Sequence, residues 1–233
     1  RNGQDEGTGG IWGSVDLLES GGLVAVGGVI HTRILDGGRY AQVNLRCRIR
    51  NVSSKVIAGA VRGRISAVGT RNARARASSA ATVFQRAVVL SPGDHIRDLS
   101  FTVDRPRLWW THDMGVPNLY RLDIEFRDLT RTTTCRFDLI FGVRDISVSM
   151  TGPWTLNGVP FFPRGTNYIP SQYLSEVTPE KVRRDIALLV GANINAVRVH
   201  GHITRGSFYA AADRAGILIW QDMPLQWGYA DTD

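Results

Sequence analysis

From residue 41 to residue 49 the chain reads Ala41-Gln42-Val43-Asn44-Leu45-Arg46-Cys47-Arg48-Ile49, apolar at each odd position and polar at each even one. A two-residue period predicts a strand with one packed and one wet face. Further short runs rich in β-branched and apolar residues lie at 14–18, 23–35, 56–68, 81–90, 96–103, 119–126 and 132–141. Turn signals separate many of them, among them Asp36-Gly37-Gly38, Asn51-Val52-Ser53-Ser54 and Ser91-Pro92-Gly93-Asp94. Strands at this spacing predict an antiparallel, immunoglobulin-like β-sandwich over residues 17–144.

Past Arg144 the period changes. Thr178 is placed to cap a helix, Pro179 suits its first position, Glu180 meets the positive end of its dipole, and Gly191 ends it. Val182, Ile186, Leu189 and Val190 share one face of that helix, as expected when it lies on a sheet. A strand follows at 194–199, then a helix with Phe208, Ala211, Ala212 and Ala215 on one face, closed by Gly216, then a strand at 217–220. Strand alternating with helix predicts a parallel sheet, here the first part of a (β/α) TIM barrel over residues 145–233. Three strands cannot close a barrel that needs eight, so the chain reads as an interior piece of a longer protein. The predicted fold class is multidomain, β plus α/β.

Substrates sit at the carboxyl ends of the strands in such barrels, which singles out Asn167 and Tyr168 after the first strand. Arg198, His200 and His202 follow the second, and Gln221, Asp222 and Trp227 the third. An arginine ending a buried strand needs a carboxylate or sugar hydroxyls as partner. One of His200 and His202 is expected to face the ligand. Tyrosine and tryptophan rings can stack on a pyranose, while amides and carboxylates bind its hydroxyls; loop packing is an equal reading for Trp227. Trp109 and Trp110 are expected in the sandwich core or between domains.

Length and composition narrow the classes. A chain of 233 residues, 43% hydrophobic, can bury a substantial core, which excludes overall disorder. No apolar run reaches the roughly 18 residues of a membrane span, and the first residues are unlike a signal peptide. The compartment, cytoplasmic or secreted, stays open. A net charge of +7 and the run Arg71-Asn72-Ala73-Arg74-Ala75-Arg76 raise nucleic-acid binding. The run has no interleaved aromatic residues for base stacking and the other arginines are dispersed, so a solvated surface is preferred. Cys47 and Cys135 both lie in strand-like runs; two free thiols are the preferred reading, an inter-strand disulfide the alternative, and their spacing is not that of a metal site.

Several stretches, in order, resemble glycoside hydrolase family two. Gly10-Ile11-Trp12-Gly13-Ser14-Val15 is similar to the link out of the family's jelly-roll domain, which assigns residues 1–16 to the end of that domain and its linker. Leu108-Trp109-Trp110 with Val116-Pro117-Asn118-Leu119-Tyr120 resembles a turn of its sandwich, and Phe141-Gly142-Val143-Arg144 the sandwich exit. Leu156-Asn157-Gly158 and Arg164-Gly165-Thr166-Asn167-Tyr168-Ile169-Pro170 resemble the opening of its barrel. Asn193-Ile194-Asn195-Ala196-Val197-Arg198 and Gly216-Ile217-Leu218-Ile219-Trp220-Gln221-Asp222 are most similar to the β-mannosidase and exo-β-glucosaminidase branch; His200 stands where mannosidases usually carry tryptophan.

The resemblance implies a retaining, cofactor-free hydrolase of terminal β-linked mannosides or glucosaminides, with two catalytic glutamates on later barrel strands. Its partners would be a carbohydrate substrate and the rest of the same polypeptide, with no nucleic acid and no membrane. The glutamates of this chain are Glu6, Glu19, Glu125, Glu176 and Glu180, none at the end of a predicted barrel strand. No catalytic residue is therefore expected in this chain, and the piece alone is expected to be inactive. Two alternatives stand beside this reading: a non-catalytic carbohydrate-binding or scaffolding sandwich, and a metal-dependent barrel hydrolase using His200, His202 and Asp222.

Overall fold

A computed structural model describes residue 15 and residues 17–69, 82–130, 132–171 and 173–224. The linker assigned to residues 1–16, apart from Val15, the arginine run at 71–76 and Trp227 lie outside the described residues. The chain divides into two compact units, one formed by Glu19–Trp110 and Gly115–Phe162, the other by residues 1–18, Thr111–Met114 and Pro163–Asp233.

The first unit holds two antiparallel sheets. One has the order β1-β2-β5, from Leu23–Leu35, Tyr40–Asn51 and Gly93–Asp104. The other has the order β4-β3-β6-β7, from Thr82–Leu90, Ile57–Ala67, Tyr120–Asp128 and Thr133–Phe141. Alternation along β2 is realised as predicted: Ala41, Val43, Leu45, Cys47 and Ile49 are each at most 1% exposed. They join Val61 and Ile65 of β3, Leu99 and Phe101 of β5, and Leu122, Ile124 and Phe126 of β6 in one core. The Phe84 ring stacks on Phe101 at 4.7 Å and so links the two sheets. Space for it exists because residue 63 is glycine; a Cβ there would stand 2.1 Å from the ring. The run at 14–18 forms no strand at its described positions, where Val15, Leu17 and Leu18 are 70% exposed or more and no described neighbour supplies ladder hydrogen bonds. Cys47 and Cys135 are free thiols, and burial pushes Cys47 up to about 11.

The sandwich exit is built around Trp109, which is fully buried. Its N–H donates to Val143 O at 2.8 Å, and the Arg144 guanidinium lies 4.8 Å from its ring. Gly142 is close beneath, since a Cβ there would approach the indole to 2.9 Å. A small antiparallel sheet follows, order β10-β9-β8, from Val159–Phe161, Trp154–Leu156 and Ile146–Ser147. Its hairpin turns on Asn157 (φ 53°) and Gly158 (φ 78°), the pair of residues that tolerates positive φ in a two-residue turn. Asn157 Nδ2 donates to Trp109 O at 2.9 Å, and its Oδ1 accepts from the Asp145 N–H at 2.9 Å. These bonds hold residues 145–162, read from sequence as the start of the α/β part, in the unit of the sandwich.

In the other unit, β11 (Gly165–Tyr168), β12 (Ala196–Val199) and β13 (Leu218–Gln221) form a parallel sheet in that order. Helices α1 (Pro179–Gly191) and α2 (Gly206–Ala215) connect them. The Thr178 hydroxyl accepts from the Lys181 N–H at 3.3 Å, and α2 ends on Gly216 in the left-handed region (φ 72°). Val182, Ile186, Phe208, Ala212, Val197, Val199 and Ile217 form the core between helices and sheet. Among the described residues no helix is long and apolar enough to cross a membrane.

Candidate functional site

Strand register decides which side chains meet. Thr166, Val197 and Ile219 lie side by side, as do Tyr168, Val199 and Gln221; Val197, Val199, Tyr168 and Ile219 pack in the helix-side core. The alternate row, Asn167, Arg198 and Trp220, therefore points to the opposite face. Among the described residues that face bears no helix of this unit: Asn167 and Arg198 are exposed, and Trp220 is 56% exposed.

At the carboxyl ends of β12 and β13 this row continues into a charged cluster. Arg198 Nε donates to both carboxylate oxygens of Asp222, at 3.1 and 2.9 Å, and its Nη2 lies 2.7 Å from Oδ2. His200 Nδ1 lies 3.1 Å from Asp222 Oδ2. A carboxylate only accepts, so Nδ1 carries the proton in this contact and Nε2 is left for a ligand. The Arg198 hydrogen bond holds the Asp222 carboxyl below the usual range, and the same bond raises Arg198. The result is a fixed Arg–Asp pair with an oriented imidazole beside it.

The other expected site residues fall elsewhere. Tyr168 is 7% exposed and faces the helices: its ring stacks on Phe208 at 4.0 Å and its hydroxyl donates to Asp185 Oδ2 at 2.9 Å. Burial, then the Asp185 carboxylate, pushes its phenol far up. Gln221 also turns to the helix side, where Oε1 accepts from Tyr209 Oη at 2.6 Å. Its Nε2 donates to His202 O at 2.7 Å and to Asp222 O. The strand ends at Val199 and Gly201 takes φ 65°, so His202 leaves the sheet alternation; its Nδ1 donates to His200 O at 2.9 Å. Thus Asn167, Arg198, His200 and Asp222 share the rim, whereas Tyr168, His202 and Gln221 brace it. Tyr209, not singled out from sequence, completes that brace.

A second polar cluster, also unmarked in the sequence, lies at the opposite ends of the strands. Arg164 Nη2 donates to Asp113 Oδ2 at 2.6 Å and its Nε to Asn193 O at 2.9 Å. Fully buried Asn195 accepts from the Arg164 N–H at 2.8 Å and donates to Asp113 Oδ2 at 3.2 Å. Burial raises the Asp113 carboxyl, yet the hydrogen bonds from Arg164 and Asn195 outweigh it and leave it lowered. Placed at the amino ends of the strands, these groups act on stability. The one available sequence signal was the pair Asn193 and Asn195 just ahead of an apolar strand.

Among the described residues no group of three His, Cys, Asp or Glu side chains is arranged to hold a metal ion. At the rim the space beside Asp222 is taken by a guanidinium, which repels a cation.

The family model for glycosyl hydrolases family 2 matches residues 28–144, just over half of the chain. An exo-beta-D-glucosaminidase of Streptomyces avermitilis is 29% identical over 209 residues, covering 87% of this chain and 22% of that protein. Beta-mannosidase B of Aspergillus terreus is 30% identical over 154 residues, covering 62% of this chain and 18% of that protein. The chain thus spans less than a quarter of the length of these relatives. Among solved structures, a beta-D-mannosidase from Dictyoglomus thermophilum superimposes with a TM-score of 0.72 at 23% identity, over 87% of this chain and 24% of that one. An exo-chitosanase of Amycolatopsis orientalis gives 0.71 at 20% identity, over 87% and 23%; at these identities the likeness concerns the fold. From the matched residues and the relatives they bring together, the chain belongs to glycosyl hydrolases family 2.

Proposed function

We propose that this chain is part of a retaining glycoside hydrolase of terminal β-linked mannosides or glucosaminides, and that β11 to β13 are the first strands of its catalytic (β/α) barrel. The observation that carries the proposal is the rim: Asn167, Arg198, His200 and Asp222 lie on one face at the carboxyl ends of parallel strands, where barrel substrates bind. In this reading Asn167 and His200 Nε2 bind sugar hydroxyls. Arg198 is held by Asp222 and presents the outer edge of its guanidinium to the sugar or to a catalytic carboxylate.

Retention requires two carboxylates roughly 5–5.5 Å apart. The described glutamates do not supply such a pair: Glu19 is exposed ahead of β1, Glu125 is held by Arg127 and Arg136 on the sandwich, Glu180 by Arg183 on α1, and Glu176 by Ser171. Both catalytic glutamates therefore come from further strands of the same polypeptide, which also cover the face bearing Trp220.

The longer protein, assayed on p-nitrophenyl β-mannoside and β-glucosaminide, is expected to release nitrophenol from one of them with retention of anomeric configuration. Arg198→Gln should lower kcat/KM about tenfold or more, through a weakened charge-assisted contact. Inactivity on both substrates, with saturable sugar binding to the sandwich alone, would replace this reading with a carbohydrate-binding module. His200→Trp should move preference toward the mannoside; an unchanged ratio would take His200 out of the sugar site.

A further inference from the structure

Past Val199 the chain leaves the ladder of β12, and side chains take over the holding of the loop that carries His200. The His200 carbonyl accepts from His202 Nδ1 at 2.9 Å, and the His202 carbonyl accepts from Gln221 Nε2 at 2.7 Å. Two residues further on, the Thr204 N–H donates to Tyr209 Oη at 3.3 Å. Tyr209 belongs to α2 and packs in the helix-side core, across the sheet from the row of Asn167, Arg198 and Trp220, so it does not reach a ligand at the rim.

Gln221 is the junction. Its Oε1 accepts from the Tyr209 hydroxyl at 2.6 Å, and its Nε2 donates to two carbonyls, those of His202 and Asp222. One amide thus ties the loop after β12 to the residue after β13 whose carboxylate holds Arg198 and His200. Turned end for end, the amide would set Oε1 against both carbonyls, acceptor facing acceptor. The Tyr209 hydroxyl accepts from Thr204 and donates to Oε1, and in doing so fixes which end of the amide faces α2.

We propose, on the reading of the rim as a sugar site, that Tyr209 is a positioning residue: through the Gln221 amide it sets the place of His200 and Asp222, and with them of the Nε2 that meets the sugar. Groups joined in one hydrogen-bonded series are coupled, and small displacements at a binding group are costly. Removing the Tyr209 hydroxyl frees the amide to rotate, releases the His202 carbonyl and lets the imidazole drift. Tyr168 supplies the contrast, since its proton goes to Asp185 of α1 and not into this series.

The test uses the longer protein that carries this chain. Tyr209→Phe is expected to raise KM for the chromogenic sugar it hydrolyses about fivefold, with kcat within about twofold of the parent, as when a contact common to ground and transition states is weakened. An unchanged KM would take Tyr209 out of the support of the rim. Tyr168→Phe loses a hydroxyl on the same side of the sheet and should leave KM as it was; an equal rise there would reduce the effect to general loosening and overturn the assignment. Gln221→Met should give the same rise as Tyr209→Phe, and the double variant should be no worse than Gln221→Met alone. Additive losses would show that Tyr209 does not act through Gln221, which overturns it as well. Amide hydrogen exchange needs no substrate: Tyr209→Phe should speed exchange about tenfold at residues 200–204 and at Asp222, with α1 as in the parent. Acceleration confined to α2, or none, would sink the positioning role. If neither sugar reacts, the proposed activity falls, and exchange still decides the part played by Tyr209.

Discussion

At the scale of the residue, a polar group at a strand end is read by what it faces. Tyr168 shows the difference most directly, because a sugar-stacking tyrosine and a core tyrosine respond oppositely to loss of the hydroxyl. Tyr168→Phe leaves Asp185 without its donor and is expected to cost roughly 1 kcal/mol in urea unfolding, with the KM of the proposed hydrolase unchanged. Unaltered stability with a raised KM would return Tyr168 to the sugar site. Asp222 makes a prediction in pH. Its folded value is depressed, so its contribution is complete above the unfolded value of about 3.9 and is lost as pH falls through the lower folded one. Arg198→Gln should therefore be less stable than the parent at pH 6, and the gap should close toward pH 2 to 3. A gap that persists in acid would mean the arginine stabilises by packing rather than through its charge.

At the scale of the element, boundaries are set by single residues with a nameable duty. Thr178→Ala removes the acceptor for the Lys181 N–H and is expected to lower stability by about 1 kcal/mol, detectable as earlier loss of helical circular dichroism. Gly63→Ala sets a methyl against the Phe84 ring and should cost roughly 1–3 kcal/mol. Adding Phe84→Leu should recover part of that cost, since residues in contact do not act additively. Full additivity in the cycle would show that the ring and the glycine do not share the space. Both strands and helices here were legible from period and punctuation. The caps at Thr178 and Gly216 stand where capping chemistry predicts, and the alternation from Ala41 to Ile49 became the buried face of β2. The run at 14–18 was an exception at its described positions: apolar residues alone do not make a strand when no described edge pairs with them.

At the scale of the whole molecule, the two units differ in how completely each buries its own apolar surface. The sandwich has two facing sheets, whereas the parallel sheet is covered by its helices on one side and bears Trp220, 56% exposed, on the other. The isolated 233-residue chain is therefore expected to bind a hydrophobic dye and to show no hydrolysis of either chromogenic sugar; measurable turnover by it would refute the assignment of the catalytic glutamates to further strands. Sequence by itself determined the layered architecture, the caps, the family and the positions at strand ends, because hydrophobic period, turn residues and local motifs are properties of neighbours along the chain. Tertiary structure alone decided which of those strand-end residues meet. The register of β11, β12 and β13 turned Asn167 and Arg198 to one face and Tyr168 and Gln221 to the other, and the positive φ of Gly201 took His202 out of the row. It also joined Asp113 to Arg164. Such pairings depend on distances between residues far apart in sequence, which periodicity does not encode.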